Sequence, residues 1–132
     1  MELGKIIKAR AVFLRHADEK LSPALSWKIF RFVKSTGENE LVFYEKRVGE
    51  IIDKYARRGE DGKPILDNAG NLKITEDKRG EFLKEVDGLD GVQVQAPPFK
   101  FSISELGEIK LSVLDMSALY DLIEESDKNG IY

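Results

Sequence analysis

At 132 residues and 42% apolar content, the chain is of single-domain size and can bury a core without help from disulfides or metal. It contains no cysteine, which excludes disulfides, thiolate nucleophiles and Cys-ligated zinc or iron–sulfur centres and is compatible with a reducing compartment. The net charge of −3 divides unevenly: residues 1–58 hold 13 Lys and Arg against 8 Asp and Glu, and residues 59–132 hold 8 against 16, so the halves carry +5 and −8. Such a split means that the halves attract each other, within a monomer or across an oligomer, or that one half meets an oppositely charged partner, unless it is the ordinary mixed surface of a highly charged chain.

The longest apolar runs, such as Ala11–Leu14, fall far short of the roughly 20 residues that span a bilayer. Residues 1–5 lack the apolar stretch and small-residue cleavage site of a secretory signal, so a cytoplasmic location and no membrane partner are expected.

Between Lys5 and Ala17, the residues Ile6, Ile7, Arg10, Phe13, Leu14 and Ala17 fall along one helical side, with Lys5, Lys8 and Arg15 free to reach water. Ser22-Pro23 supplies a helix N-cap followed by proline at the first helical position. The stripe Leu25, Ile29, Phe32 and Val33 then continues past Gly37 through Leu41, Tyr44, Val48, Ile51, Ile52 and Tyr55. It predicts one long helix stopped by Gly59, with a kink or a break into two helices at the weak stretch Ser35–Asn39 as the alternative.

Residues 63–66 and 72–74 are β-prone and flank the turn-forming 67–71, with Glu60-Asp61-Gly62 leading in; they predict a projecting β-hairpin. Thr75 with Glu76 and Asp77 predicts the cap of a helix over about 76–86. Alternation in Val92–Gln95 and Phe99–Ile103, separated by Pro97-Pro98, predicts strands, with Ser104–Gly107 as a turn and Glu108–Leu111 as a further extended piece. Ser112 and Asp115 have capping-box spacing and open a last helix bearing Leu114, Ala118, Leu119, Leu122 and Ile123, before a polar, frayed tail over 124–132.

Few residues carry chemistry. His16 is the only histidine, so no Ser-His-Asp or multi-His metal constellation can assemble within one chain. Residues 61–71 lack the alternating Asp or Asn and the twelfth-position Glu of a calcium loop. The carboxylate pairs Glu124/Glu125, Asp87/Asp90 and Glu105/Glu108 are indistinguishable from solvated acids. Neither a catalytic residue nor a metal or cofactor is therefore expected. Basic residues of the first helices, interleaved with aromatics, have the ingredients of a nucleic-acid surface, but their spacing is that of the solvent edge of packed helices and the chain is acidic overall.

Trp27 and Phe30 lie off the Leu25-Ile29-Phe32-Val33 stripe and widen the apolar surface beyond what one neighbouring helix covers, which points to a second contact surface.

The run from Tyr44 to Ile74, together with Leu111–Leu119, resembles a family of small uncharacterised proteins of phages and prophages of Gram-positive bacteria: a long helix ending near Lys54-Tyr55, an Asp61–Pro64 turn, a second turn at Asn68–Asn71, and a terminal helix after Leu111-Ser112. The resemblance implies a viral or prophage origin and assigns no catalytic residues.

The sequence thus predicts one α+β domain: a helical hairpin over 1–57, a β-hairpin insert over 58–75, and an α/β part over 76–132 with a small antiparallel sheet under a C-terminal helix. The expected function is non-enzymatic binding of a protein partner, phage or host, in virion assembly or inhibition of a host protein, with self-association into a homo-oligomer. Trp27, Phe30, Arg31, Tyr44, Arg57, Arg58 and Lys63 are the candidate contact residues. The alternative is a sponge that holds a nucleotide-like anion between subunits, with Arg57, Arg58 and Lys63 at the helix–hairpin junction; nucleic-acid binding comes third.

Overall fold

The structure is a computed structural model that describes residues 1–74 and 76–129. The expected cap residue Thr75 and residues 130–132 of the expected frayed tail lie outside the described residues. Helix accounts for 62% of the fold and bridged extended residues for 8%, with no sheet among the described residues. The expected α+β class with an antiparallel sheet is therefore wrong, and the protein is mainly helical.

The helices are α1 (Leu3–Arg15), α2 (Pro23–Glu38), α3 (Glu40–Tyr55), α4 (Arg79–Asp90), the one-turn α5 (Ile103–Leu106), α6 (Val113–Leu119) and α7 (Glu125–Asn129). α1 is central, with α2, α3, α4 and α6 packed directly on it. Its buried residues, Leu3, Gly4, Ile6, Ala9, Arg10, Val12 and Phe13, run around most of its circumference, as they must on a helix enclosed by others. The expected single stripe is thus too narrow. Ala9 and Val12 also point inward, while Leu14 and Ala17 remain exposed.

α1 joins two apolar clusters. Ala9, Val12 and Phe13 enter a larger one built on phenylalanines: Phe13 meets Phe32 at 5.5 Å and Phe101 at 5.0 Å between ring centroids, and Phe32 meets Phe99 edge-on at 5.8 Å. These separations lie in the range that aromatic pairs favour. Leu3 enters the smaller one with Ile51, Tyr55 and Leu89.

The long helix expected from Ser22 to Tyr55 is two helices. Ser22 caps α2 as expected, its Oγ accepting the Leu25 N–H. The break falls at Asn39 (φ −116°, ψ −80°), at the end of the weak stretch Ser35–Asn39 where the alternative reading allowed it. Gly37 is helical, and a Cβ there would stand 2.9 Å from Arg10 Nη2. Arg10 is buried, donating from Nε to Thr36 Oγ1 (2.9 Å) and from Nη2 to Val33 O (3.3 Å), so the glycine serves the guanidinium rather than a bend.

The expected two-stranded hairpin over 58–75 is a three-way ring. Arg57 N–H donates to Lys73 O, Lys73 N–H to Ile65 O, and Ile65 N–H to Arg57 O, at 2.8–2.9 Å. Antiparallel bridges pair Arg58 with Pro64, Leu66 with Leu72, and Ala56 with Ile74. The two turns match each other eight residues apart, with Gly62 and Gly70 both at positive φ (77° and 82°), a region that only glycine enters without strain. Each short piece uses both of its edges within the ring, so no ladder can grow from it.

The strands expected between Val92 and Leu111 do not pair into a sheet. Gln93 bridges Glu2, and Phe101 bridges Ile123. Pro97 and Pro98 carry no N–H to offer a ladder, and Phe99 and Phe101, both buried, anchor an extended segment in the phenylalanine cluster. Their alternation reports burial on one side, not a neighbouring strand. Ser102 and Glu105 form a complete capping box, so the expected turn at 104–107 is helix α5. The capping box at Ser112 and Asp115 is present as expected and opens α6. Residues 125–129 of the expected frayed tail are helical.

Two glycine substitutions should act in opposite directions. At Gly4, a Cβ would stand 2.7 Å from Asp90 Cβ and 3.1 Å from its Cα, so Gly4→Ala should destabilise by about 1–3 kcal/mol. At Gly49, inside α3, a Cβ meets nothing within 4 Å, so Gly49→Ala should stabilise by about 1 kcal/mol. Denaturant unfolding of both variants checks the pair, and equal signs would contradict this packing.

Candidate interaction surface

The seven candidate residues fall in three places. Trp27 and Phe30, one turn apart on α2, stack at 5.6 Å with an interplanar angle of 24°, and are 61% and 52% exposed. Arg31, beside them, holds its guanidinium 5.6 Å from the Phe99 ring centroid. These three share one helix.

Tyr44 lies elsewhere, packed on the smaller cluster between α3 and α4, with its hydroxyl donating to Asp90 Oδ1 at 2.9 Å. Burial, then the adjacent Asp90 carboxylate, raise its phenol above the ordinary value of 10.0. Arg57, Arg58 and Lys63 belong to the bridged ring. Arg58 is engaged by Asp53 and donates from Nη1 to Gly62 O at 2.6 Å, so it clamps a turn. Arg57 and Lys63 are exposed.

A pocket of about 230 Å³ opens beside Phe30, between α1 and α2. Phe13, Leu14, Leu21, Ile29 and Val33 line it with Phe30, and His16 and Glu19, which contact each other, stand at its rim. On the other flank of α1, the first turn of α6 holds Val113 and Leu114 in water, 86% and 81% exposed. Leu114 borders Lys8, Ala11 and Arg15 of α1. Leu14 and Leu114 belong to the apolar sets expected on the first and last helices, yet both are exposed, at 48% and 81%.

Most cations of the basic half are taken up internally. Lys5 pairs with Asp121 at 3.2 Å, Arg15 with Asp115 at 2.6 Å, Lys28 with Glu105 at 3.0 Å and Lys54 with Glu85 at 2.8 Å, each joining the first half of the chain to the second. Several carboxylates have structural partners as well. Glu108 accepts from Ser22 N and Oγ at 2.7 and 2.8 Å, placing an anion at the start of α2, where the helix dipole favours it. Among the described residues no three His, Asp or Glu side chains converge on a metal-sized site, and no described helix is long and apolar enough to cross a membrane.

The Ser112 N–H, then Arg15, outweigh desolvation to hold the Asp115 carboxyl below its ordinary 3.8. Burial pushes Glu105 up, but the Ser102 N–H and the Lys28 ammonium together bring it below 4.5. A depressed folded pKa contributes stability that is present above the unfolded value and lost as pH falls through the folded one. The unfolding midpoint should therefore drop as pH is lowered below the ordinary carboxylate range, and Glu105→Gln should lower the neutral-pH midpoint while flattening that acid limb. An acid limb as steep in the variant as in the parent would remove Glu105 from the account.

Comparison of the chain with protein-family models, with curated proteins and with solved structures finds no match.

Proposed function

We propose that the chain is a non-enzymatic binding protein whose partner is a protein, self-association included, and that it engages through the face formed by α2 and the exposed side of α1. The stacked, solvent-facing Trp27–Phe30 pair beside an open apolar pocket carries this reading. Leaving large apolar side chains in water forgoes about 1.5–3 kcal/mol each, and a tryptophan and a phenylalanine beside a pocket are the usual composition of an interface centre.

The state of the charged groups supports the same reading. Glu105 and Asp115 are occupied as helix caps and ion-pair partners, and Glu108 is held by Ser22. Of the cations at the helix–ring junction, Arg58 is committed to Asp53 and Gly62, which weakens the case for a sponge of nucleotide-like anions. The internal ion pairs also leave few cations of the first helices for phosphate contacts, which disfavours nucleic acid. The sequence likeness to phage and prophage families would set this activity in a host cytoplasm or a virion, in assembly or in inhibition of a host protein.

Trp27 is the only tryptophan, so its emission reports directly on coverage of this face. Binding of the partner should shift that emission to the blue. Trp27→Ala and Phe30→Ala should leave stability within about 0.5 kcal/mol of the parent, as exposed sites do, yet abolish partner capture. Capture of the same proteins by parent and both variants would sink the proposal.

A further inference from the structure

The central helix separates two apolar features that match in shape. On one flank Val113 and Leu114 project into water, and they are held there: the Ser112–Asp115 capping box fixes the first turn of α6, and the Arg15–Asp115 pair ties that turn to α1. On α1, Leu114 borders Lys8, Ala11 and Arg15, whereas the pocket beside Phe30 is lined by Phe13, Leu14, His16 and Ala17. At about 3.6 residues per turn, these two sets point to opposite sides of the helix axis.

We infer that copies of this chain join head to tail, the Val113–Leu114 knob of each seated in the Phe30 pocket of the next. The inference rests on the reading of the Phe30 face as a binding face and names its occupant. An antiparallel two-fold pairing of α1 would set like flank against like flank, knob on knob. Unlike flanks meet in a heterologous contact, which repeats into a ring or a filament. The pocket is large enough: its volume of about 230 Å³ exceeds the roughly 150 Å³ in which a benzene ring fits, and a leucine side chain has fewer carbons.

Charge matches the same contact. Around the knob, Lys8, Arg15 and the exposed Lys110 outnumber the one acid, Asp115. Neither Lys8 nor Lys110 has an ion-pair partner among the described residues. Around the pocket, Asp18, Glu19 and Glu108 outnumber the one lysine, Lys20: Glu19 stands at the rim with His16, Asp18 precedes it, and Glu108 is held on Ser22, next to the pocket's Leu21. Arg31 and Lys34 of α2 line the groove beside Phe99 instead. A basic collar thus meets an acidic rim, which steers unlike flanks together and keeps like flanks apart.

Sedimentation of the full chain should show species that grow past two copies as concentration rises, with Trp27 emission moving to the blue as its stacked partner Phe30 is covered. Leu114→Asp and Phe30→Asp, both at exposed sites, should each give a monomer with unchanged helicity. The first variant keeps its pocket and the second keeps its knob, so an equimolar mixture of the two should form a heterodimer and stop there. Lys8→Glu combined with Lys110→Glu should weaken assembly roughly fivefold at low salt, and less at high salt. A parent that is monomeric at every concentration or stops at two copies, or a mixture that stays monomeric, overturns the inference. If the parent is monomeric while a foreign protein still binds and is lost with Trp27→Ala, the binding face survives and only its occupant was wrong.

Discussion

The fold depends on where a buried cation finds its hydrogen bonds. Arg10 stands on the central helix with almost none of its surface in water, and it reaches Thr36 and the Val33 carbonyl in the second half of α2. A guanidinium removed from water is tolerated only with partners of this kind, and the C-terminal end of a helix, where the dipole is negative, is a favourable place to find them. Three features of α2 answer to it. Thr36 is fully buried because its hydroxyl accepts from Arg10 while donating to Phe32 O at 2.7 Å. Gly37 lacks the Cβ that would collide with the guanidinium. The helix continues through this stretch, so the reversal into α3 waits until Asn39.

The sequence made the helices legible and their surroundings much less so. Caps at Ser22 and Ser112 are local chemistry between residues three apart, and they are where the sequence put them. The same pattern at Ser102 and Glu105 was overlooked, because alternation of Phe99, Phe101 and Ile103 suggested a strand. Alternation reports only that every second side chain faces inward, and two phenylalanines in a prolyl segment satisfy it without pairing to anything. The weak stretch Ser35–Asn39 does hold the break, at Asn39, but Gly37 is not its cause. A glycine inside a helix reads as weakness when its reason, a guanidinium from residue 10, lies 27 positions earlier. The exposed surface was legible in part: Trp27 and Phe30 stood off their stripe, while Leu14 and Leu114 looked like core, since a central helix has more apolar faces than one stripe predicts.

The uneven charge has its explanation mostly inside the molecule. α1 carries four cations and no acid, and α6 with the residues after it lies along α1 and supplies Asp115 and Asp121 to two of them. Glu105 and Glu85 do the same for Lys28 and Lys54. Exposed pairs of this kind contribute little each, about 0–1 kcal/mol. Their larger effect is on orientation, because a basic central helix flanked by acidic segments is penalised in any arrangement that sets like charges together. The same neutralisation leaves the open face of α1 weakly charged and apolar at its middle.

The open strip of α1 therefore follows from its central position. A helix buried on most of its circumference needs apolar residues nearly all round, and its four neighbours still leave Ala11 and Leu14 exposed. Covering them from within the chain would take another helix, and the remaining short helices α5 and α7 are spent elsewhere, closing the phenylalanine cluster and following Ile123.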